Sequence, residues 1–187
     1  MKHAAWLFLV CTLPAAAAAD AYTIQGVHSQ PWFEVGHHGF SIQRGRFNKL
    51  EGSATLDTLA KTGTVKVSID VGSVDMGLPL WNEQVKTKFF EAEKFPAMRF
   101  ESERFIFDGD KPVAVEGKFT LRGVTRPLLL TVANFKCGIN PFNKKAVCGA
   151  EITASLKRSE FGMSYSLAGI GDDVKITVPL EAYKSGE

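Results

Sequence analysis

From Tyr22 onward, apolar and polar side chains alternate over one stretch after another. Successive side chains on a strand point to opposite faces, so a period of two predicts strands with one buried face. Val65, Val67, Ile69 and Val71 share a face opposed by Thr64, Lys66, Ser68 and Asp70. Val113, Val115, Phe119 and Leu121 oppose Glu116, Lys118 and Thr120. Two further stripes are Cys148, Ala150, Ile152, Ala154 and Leu156, and Val174, Ile176, Val178 and Leu180. Strands are also predicted over Tyr22 to His28, Phe33 to His38, Phe47 to Asp57, Ala97 to Phe107 and Thr125 to Phe135. Between Met98/Phe100 and Phe105/Phe107 the phase slips, which predicts a bulge near Glu103.

One segment breaks the pattern. Leu78, Trp81, Val85 and Phe89 recur at spacings of three and four, the apolar stripe of a helix. Pro79 suits its first turn, and Pro96 returns the chain to an extended path. About nine strands with one helix predict an antiparallel sheet that closes, a barrel rather than a sandwich, with the helix laid over its mouth. Nothing in the chain reads as a repeat, a linker or a second domain.

The N-terminus reads differently. Lys2 and His3 precede an apolar run from Ala4 to Leu13, followed by Pro14 and five alanines, the pattern of a secretory signal peptide over residues 1–19. Ala17 and Ala19 fit cleavage before Asp20; Ala19 and Ala21 fit cleavage before Tyr22. The run is too short for a membrane span. Cys11 lies inside it, so the domain over residues 20–187 keeps Cys137 and Cys148, a pair expected to be disulfide-bonded after export to an oxidising compartment. Asn140, Pro141 and Asn143 between them predict a turn, with the bond joining the two arms of a hairpin.

Charge and composition narrow the chemistry. Twenty-two basic against 20 acidic residues, with no basic block, give no support for nucleic-acid binding. No phosphate loop, nucleophile elbow or metal-binding signature is present. His37 follows Phe33 and Val35 in phase and so faces the apolar side, with His38 outside, an arrangement that keeps the two from sharing a metal. A histidine there serves as a ligand, a general base, a polar anchor for a head group, or a core residue with its hydrogen bonds satisfied. The chain also has 14 phenylalanines against three tyrosines and three tryptophans. A plain core absorbs such rings one at a time; together they fit a ring-lined cavity suited to an apolar ligand.

Six blocks of the sequence resemble the YceI-like family of periplasmic, lipocalin-like polyisoprenoid-binding proteins. They are Phe33-x-Val35-x-His37-x-Gly39 leading to Gly45-x-Phe47 and Gly52; Ser73-Val74-Asp75; Phe89-Phe90 with Lys94-Phe95-Pro96-x-Met98-x-Phe100-x-Ser102; Gly117-x-Phe119-x-Leu121-x-Gly123-Val124-Thr125-x-Pro127; Arg158-Ser159-Glu160-Phe161-Gly162-Met163; and Asp172-Asp173-Val174-x-Ile176. The resemblance implies an all-β fold, an eight-stranded antiparallel lipocalin-like barrel with a short helix near the mouth. It implies a channel for an isoprenoid lipid, either a polyprenyl phosphate or an isoprenoid quinone, and no catalytic residue, metal or cofactor. It further implies a homodimer; transient membrane contact is a separate expectation for such a carrier. With the inward phase, it marks Phe33, Val35, Phe47, Val67, Ile69, Phe89, Met98, Phe100, Phe119, Leu121, Ile152, Phe161, Met163 and Ile176 as lipid-lining residues, with His37 as a polar contact. The Cys137–Cys148 hairpin and Trp81-Asn82 depart from the common pattern, the latter at the channel entrance.

A lipid carrier is therefore the leading expectation. The alternatives are an enzyme acting on a prenyl lipid through His37, and an interaction module whose barrel is filled by its own side chains.

Overall fold

The computed structural model describes residues 19–186; the expected signal peptide, apart from Ala19, lies outside the described residues. These residues form eleven strands: β1 Asp20–Ile24, β2 Trp32–His37, β3 Ser41–Phe47, β4 Leu50–Asp57, β5 Thr62–Asp70, β6 Val74–Asp75, β7 Ala97–Asp108, β8 Lys111–Leu121, β9 Val124–Ile139, β10 Ala146–Lys157 and β11 Ile170–Lys184. All paired neighbours are antiparallel.

The eleven segments fill eight positions of a closed barrel. β1 and β2 pair in succession with the same edge of β11, through Ile24 opposite Ala182 and Trp32 opposite Thr177, and so form one interrupted strand. β4 pairs with β1 and β3 with β2, which makes β3 and β4 a second interrupted strand. β5 pairs with β4 and β6 with β3, making a third. β7, β8, β9, β10 and β11 run unbroken, and the β1–β11 pairing closes the sheet. Closure removes the unpaired edges that would otherwise template aggregation.

Local irregularities follow from the sequence phase. The β7–β8 register shifts between Ser102 and Arg104, at the predicted bulge. A second shift, between Ile106 and Phe107, has a consequence the alternation did not predict: Pro112 is buried and Val113 exposed, so Val113 leaves the stripe it was assigned to. The strand expected from Tyr22 to His28 ends at Ile24 in a 3-10 turn, and a strand over Ser41–Phe47 precedes the Phe47 start that alternation suggested. Gly45 and Gly117 face neighbouring rings: a Cβ would stand 2.5 Å from the ring of Phe33 at the first and 2.5 Å from that of Phe100 at the second. Only glycine permits these aromatic side chains to lie against the strand.

The helix begins as α1, Pro79–Gln84, and continues over Val85–Phe90 with the wider i→i+5 pattern of a π-helix. Phe89 and Phe90 both turn inward there; Phe90 meets Phe47 edge-on with ring centroids 5.4 Å apart. The segment lies at the end of the barrel where β6 is only two residues long, and covers the gap left between β3 and the start of β7. At the opposite end Cys137 and Cys148 face each other across the β9–β10 ladder and are disulfide-bonded, with Cα atoms 4.0 Å apart.

Candidate functional site

Inward side chains of all eight barrel positions surround one long cavity of about 490 Å³. That volume is in the range of small-molecule sites, which runs from roughly 300 to 1,000 Å³. Phenylalanines 33, 47, 89, 90, 100, 105, 119 and 135 stand on its wall beside aliphatic stripes from β5, β10 and β11. The phenylalanine excess is thus largely an interior feature, although Phe40 and Phe142 are exposed at turns.

The cavity is polar at one end. His37, Gln43, Gln84, Arg158 and Ser166 reach its wall near the helix, where Trp81, Gln84, Tyr165 and Ser166 are solvent-exposed and mark the mouth. Toward the disulfide the wall is formed mostly by apolar residues such as Phe105, Pro112, Phe135, Cys148 and Ala182, with Tyr22 and Thr55 beside them. The site is amphipathic along its length: an apolar bore with a polar collar.

Arg158 organises that collar. It is only 2% exposed, yet it carries a guanidinium. Nε donates to Gly171 O at 2.8 Å, Nη1 to Met163 O at 2.7 Å and Tyr165 O at 3.0 Å, and Nη2 to Ile170 O at 2.7 Å. Its charge is therefore met by carbonyl dipoles and by the face of Phe89, whose centroid is 5.5 Å away. Burial pulls its pKa below the usual arginine value, with Asp172 opposing that pull. The next residue extends the anchor: Ser159 N–H and its hydroxyl each donate to the Asp172 carboxylate at 2.8 Å. These bonds hold Asp172 below the usual aspartate range, the Ser159 backbone N–H contributing most.

Other fastenings surround the mouth. Asn82 accepts the Met76 N–H at 2.6 Å and ties the start of α1 to β6, while Trp81 stands on the cavity wall at the entrance. Arg122 donates to Gly162 O and to the Glu91 carboxylate, joining the β8–β9 turn to the segment after the helix.

The structure brings Phe33, Val35, His37, Phe47, Val67, Ile69, Phe89, Met98, Phe100, Phe119, Leu121, Ile152, Met163 and Ile176 together on one wall. Phe161 is a correction: it is buried behind Phe119, with ring centroids 5.7 Å apart, and does not reach the cavity. β10 ends at Lys157, and the 3-10 turn over Arg158–Phe161 takes Phe161, which the resemblance marks as lining, behind the wall instead of onto it. His38 lies outside the cavity and is exposed, as expected, but not through strand alternation: the strand stops at His37, His38 takes φ 50°, and the two rings meet edge-on with centroids 4.6 Å apart.

Gln43, Gln84, Arg158 and Ser166 were missed. For two of them the signal was present as phase: Arg158 continues the inward stripe from Cys148 to Leu156, and Gln43 shares parity with Gly45 and Phe47.

Comparison with known proteins agrees with this architecture. A UPF0312 protein of Pseudomonas aeruginosa is 31% identical over 173 residues, covering 90% of this chain and 89% of its own. The crystal structure of BcnA from Burkholderia cenocepacia superposes with a TM-score of 0.70 at 24% identity, over 84% of this chain and 98% of its own. A polyisoprenoid binding domain from Saccharophagus degradans gives 0.66 at 16% identity, over 88% and 99%. The YceI-like domain model matches residues 22–182, and with the closed barrel and its helix-covered mouth this establishes that the chain belongs to the YceI-like family.

Proposed function

We propose that this protein binds and carries an isoprenoid lipid, tail in the bore and head group at the polar collar, in the periplasm. The observation that carries the reading is the continuous, largely apolar cavity with most of its polar groups at the mouth. A barrel filled by its own side chains would not leave that space, so the interaction-module alternative loses its premise. The Saccharophagus neighbour, a polyisoprenoid binding domain, supports the same ligand class and a binding protein rather than an enzyme. The leader-like N-terminus and the Cys137–Cys148 bond support export to an oxidising compartment.

The energetics favour an extended apolar tail. Each buried CH₂ contributes about 0.8 kcal/mol, and the affinity ceiling near −20 kcal/mol means that ordering and partial burial offset much of the sum. The bore therefore selects for apolarity and slenderness. The collar, with His37, Gln43, Gln84 and Ser166, accommodates either a polyprenyl phosphate or an isoprenoid quinone. Solvent extraction of protein purified after export, followed by mass spectrometry, should yield an isoprenoid lipid near one per chain. Repeated absence of lipid, with none taken up on addition of polyprenyl phosphate or ubiquinone, overturns the reading.

A further inference from the structure

Three segments encircle the cavity mouth: residues 37–43 between β2 and β3, residues 77–82 at the start of α1, and residues 163–169 before β11. Contacts close them into a ring. The Met76 sulfur lies against Gly45 of β3, Phe89 meets Tyr165 with centroids 5.1 Å apart, and His38 N–H donates to Gly169 O at 2.6 Å.

The ring is unlike the rest of the surface. Its three segments contain no Asp, Glu, Lys or Arg, in a chain that is 22% charged. Along the barrel flanks, by contrast, opposite charges pair across strands, as in Arg44–Glu34, Arg104–Glu116 and Lys157–Asp173. What the ring exposes is apolar: Phe40 is 92% exposed, Leu80 63%, Tyr165 53%, Trp81 44% and Leu167 40%. Leu78-Pro79-Leu80-Trp81 is an exposed run of four apolar residues, a pattern that soluble surfaces avoid unless it is used.

We propose that this uncharged ring seats on the surface of a phospholipid bilayer, with the cavity mouth facing the membrane. The inference rests on the lipid-binding reading and adds where the lipid enters and leaves. Three features of the ring favour a bilayer as its occupant. It surrounds the mouth of the cavity, so whatever covers it must also receive an apolar molecule, and only a bilayer offers that molecule a phase in which its tail stays dehydrated. The three segments have no charge of their own to desolvate on insertion, and the charged Arg122 and Glu91 at this end of the barrel are paired with each other. Trp81 and Tyr165 are the residue types that settle at a membrane–water boundary, with their rings among the head groups. Lys86 and Lys88 follow on the same helix, one to two turns behind Trp81, in position to meet lipid phosphates as the apolar side chains enter.

Flotation with vesicles of phosphatidylethanolamine and phosphatidylglycerol, free of isoprenoids, tests this with the exported protein. The wild type should float with the vesicles. The triple variant Phe40→Glu, Leu80→Glu, Leu167→Glu should lose that partitioning by about tenfold or more. None of the three residues lines the cavity, so bound isoprenoid, measured by extraction, should remain at the wild-type level. Phe142→Glu, 93% exposed on the β9–β10 turn, should float as the wild type does. Raising the salt should weaken wild-type partitioning only in part, because it screens Lys86 and Lys88 but leaves the apolar side chains in place.

A wild type that carries isoprenoid but does not float, or a triple variant that floats equally, overturns the docking proposal alone. Absence of isoprenoid overturns the lipid-binding reading, while flotation is still read independently. A wild type that is dimeric without vesicles and becomes monomeric in the triple variant shows a second copy covering the ring, and also overturns the proposal.

Discussion

The two ends of the barrel are built on opposite principles. At the disulfide end, β9 and β10 form one hairpin ladder with a single register shift between Gly149 and Glu151 and left-handed residues at Asn134 and Lys144, and the Asn140 carboxamide oxygen accepts the backbone N–H groups of Phe142 and Asn143 in its turn. At the mouth, the helix changes from α to π, and His38, Glu91, Arg122 and Ser166 all take left-handed backbone conformations. Order there comes from side chains that reach across to other segments, above all Arg158 and Arg122. The ladder end holds itself by repetition. The mouth is held by a few fastenings, each with several partners, which is how an entrance can be shaped without regular secondary structure.

This contrast can be broken from either side. The largest effect is expected for Arg158→Met. It removes donors from four backbone carbonyls at once, and a loss on the order of 3–5 kcal/mol is expected, as for other broken buried charge networks. Urea unfolding measures the loss, and limited proteolysis should place new cleavage in residues 163–169; an unchanged midpoint would deny Arg158 its fastening role. Next is Cys137→Ser with Cys148→Ser. The bond closes a short loop, and its removal should cost about 2–3 kcal/mol. Hydrogen exchange should show that loss at the β9–β10 turn while the mouth segments keep their protection.

A smaller, pH-dependent effect belongs to Asp172. Its pKa in the folded protein is lowered from the ordinary value of 3.8, so its contribution is present above that value and fades as the pH falls through the folded pKa. Asp172→Asn should be less stable near neutrality and show a shallower loss of stability on acidification than the wild type, read from urea midpoints across the acid range. The smallest effect is expected on the flank: Lys157→Ala breaks an exposed pair with Asp173, 2.8 Å apart, and should leave the urea midpoint close to that of the wild type. A larger loss would mean that the flanks, too, are held by individual pairs.

Much of the ladder was readable in advance. Alternation placed Val65, Val67 and Ile69 and the stripe from Cys148 to Leu156 on the inner wall, and the slip between Phe100 and Phe105 located the β7 bulge. Those readings hold because strand parity is local: each side chain's face follows from its neighbour's. Reading failed where the local rule stops. Phe161 follows the end of β10 and packs behind Phe119, and Val113 lies beside a register shift.

The sequence alone therefore determined most of the strands, which face most of their residues present, and which cysteines meet. Its family motifs, taken with that alternation, pointed to a barrel. Only the tertiary structure decided that the interior is a cavity rather than a filled core. Parity says that a side chain points inward; how far eight walls stand apart depends on their closure and tilt, a property of the whole sheet. The same holds for Arg158, whose phase marks it as inward but whose role depends on four carbonyls brought to it from a loop and from the start of β11. Side-chain direction is a local property of the chain, whereas the space and the partners that direction meets are set by segments far away in sequence.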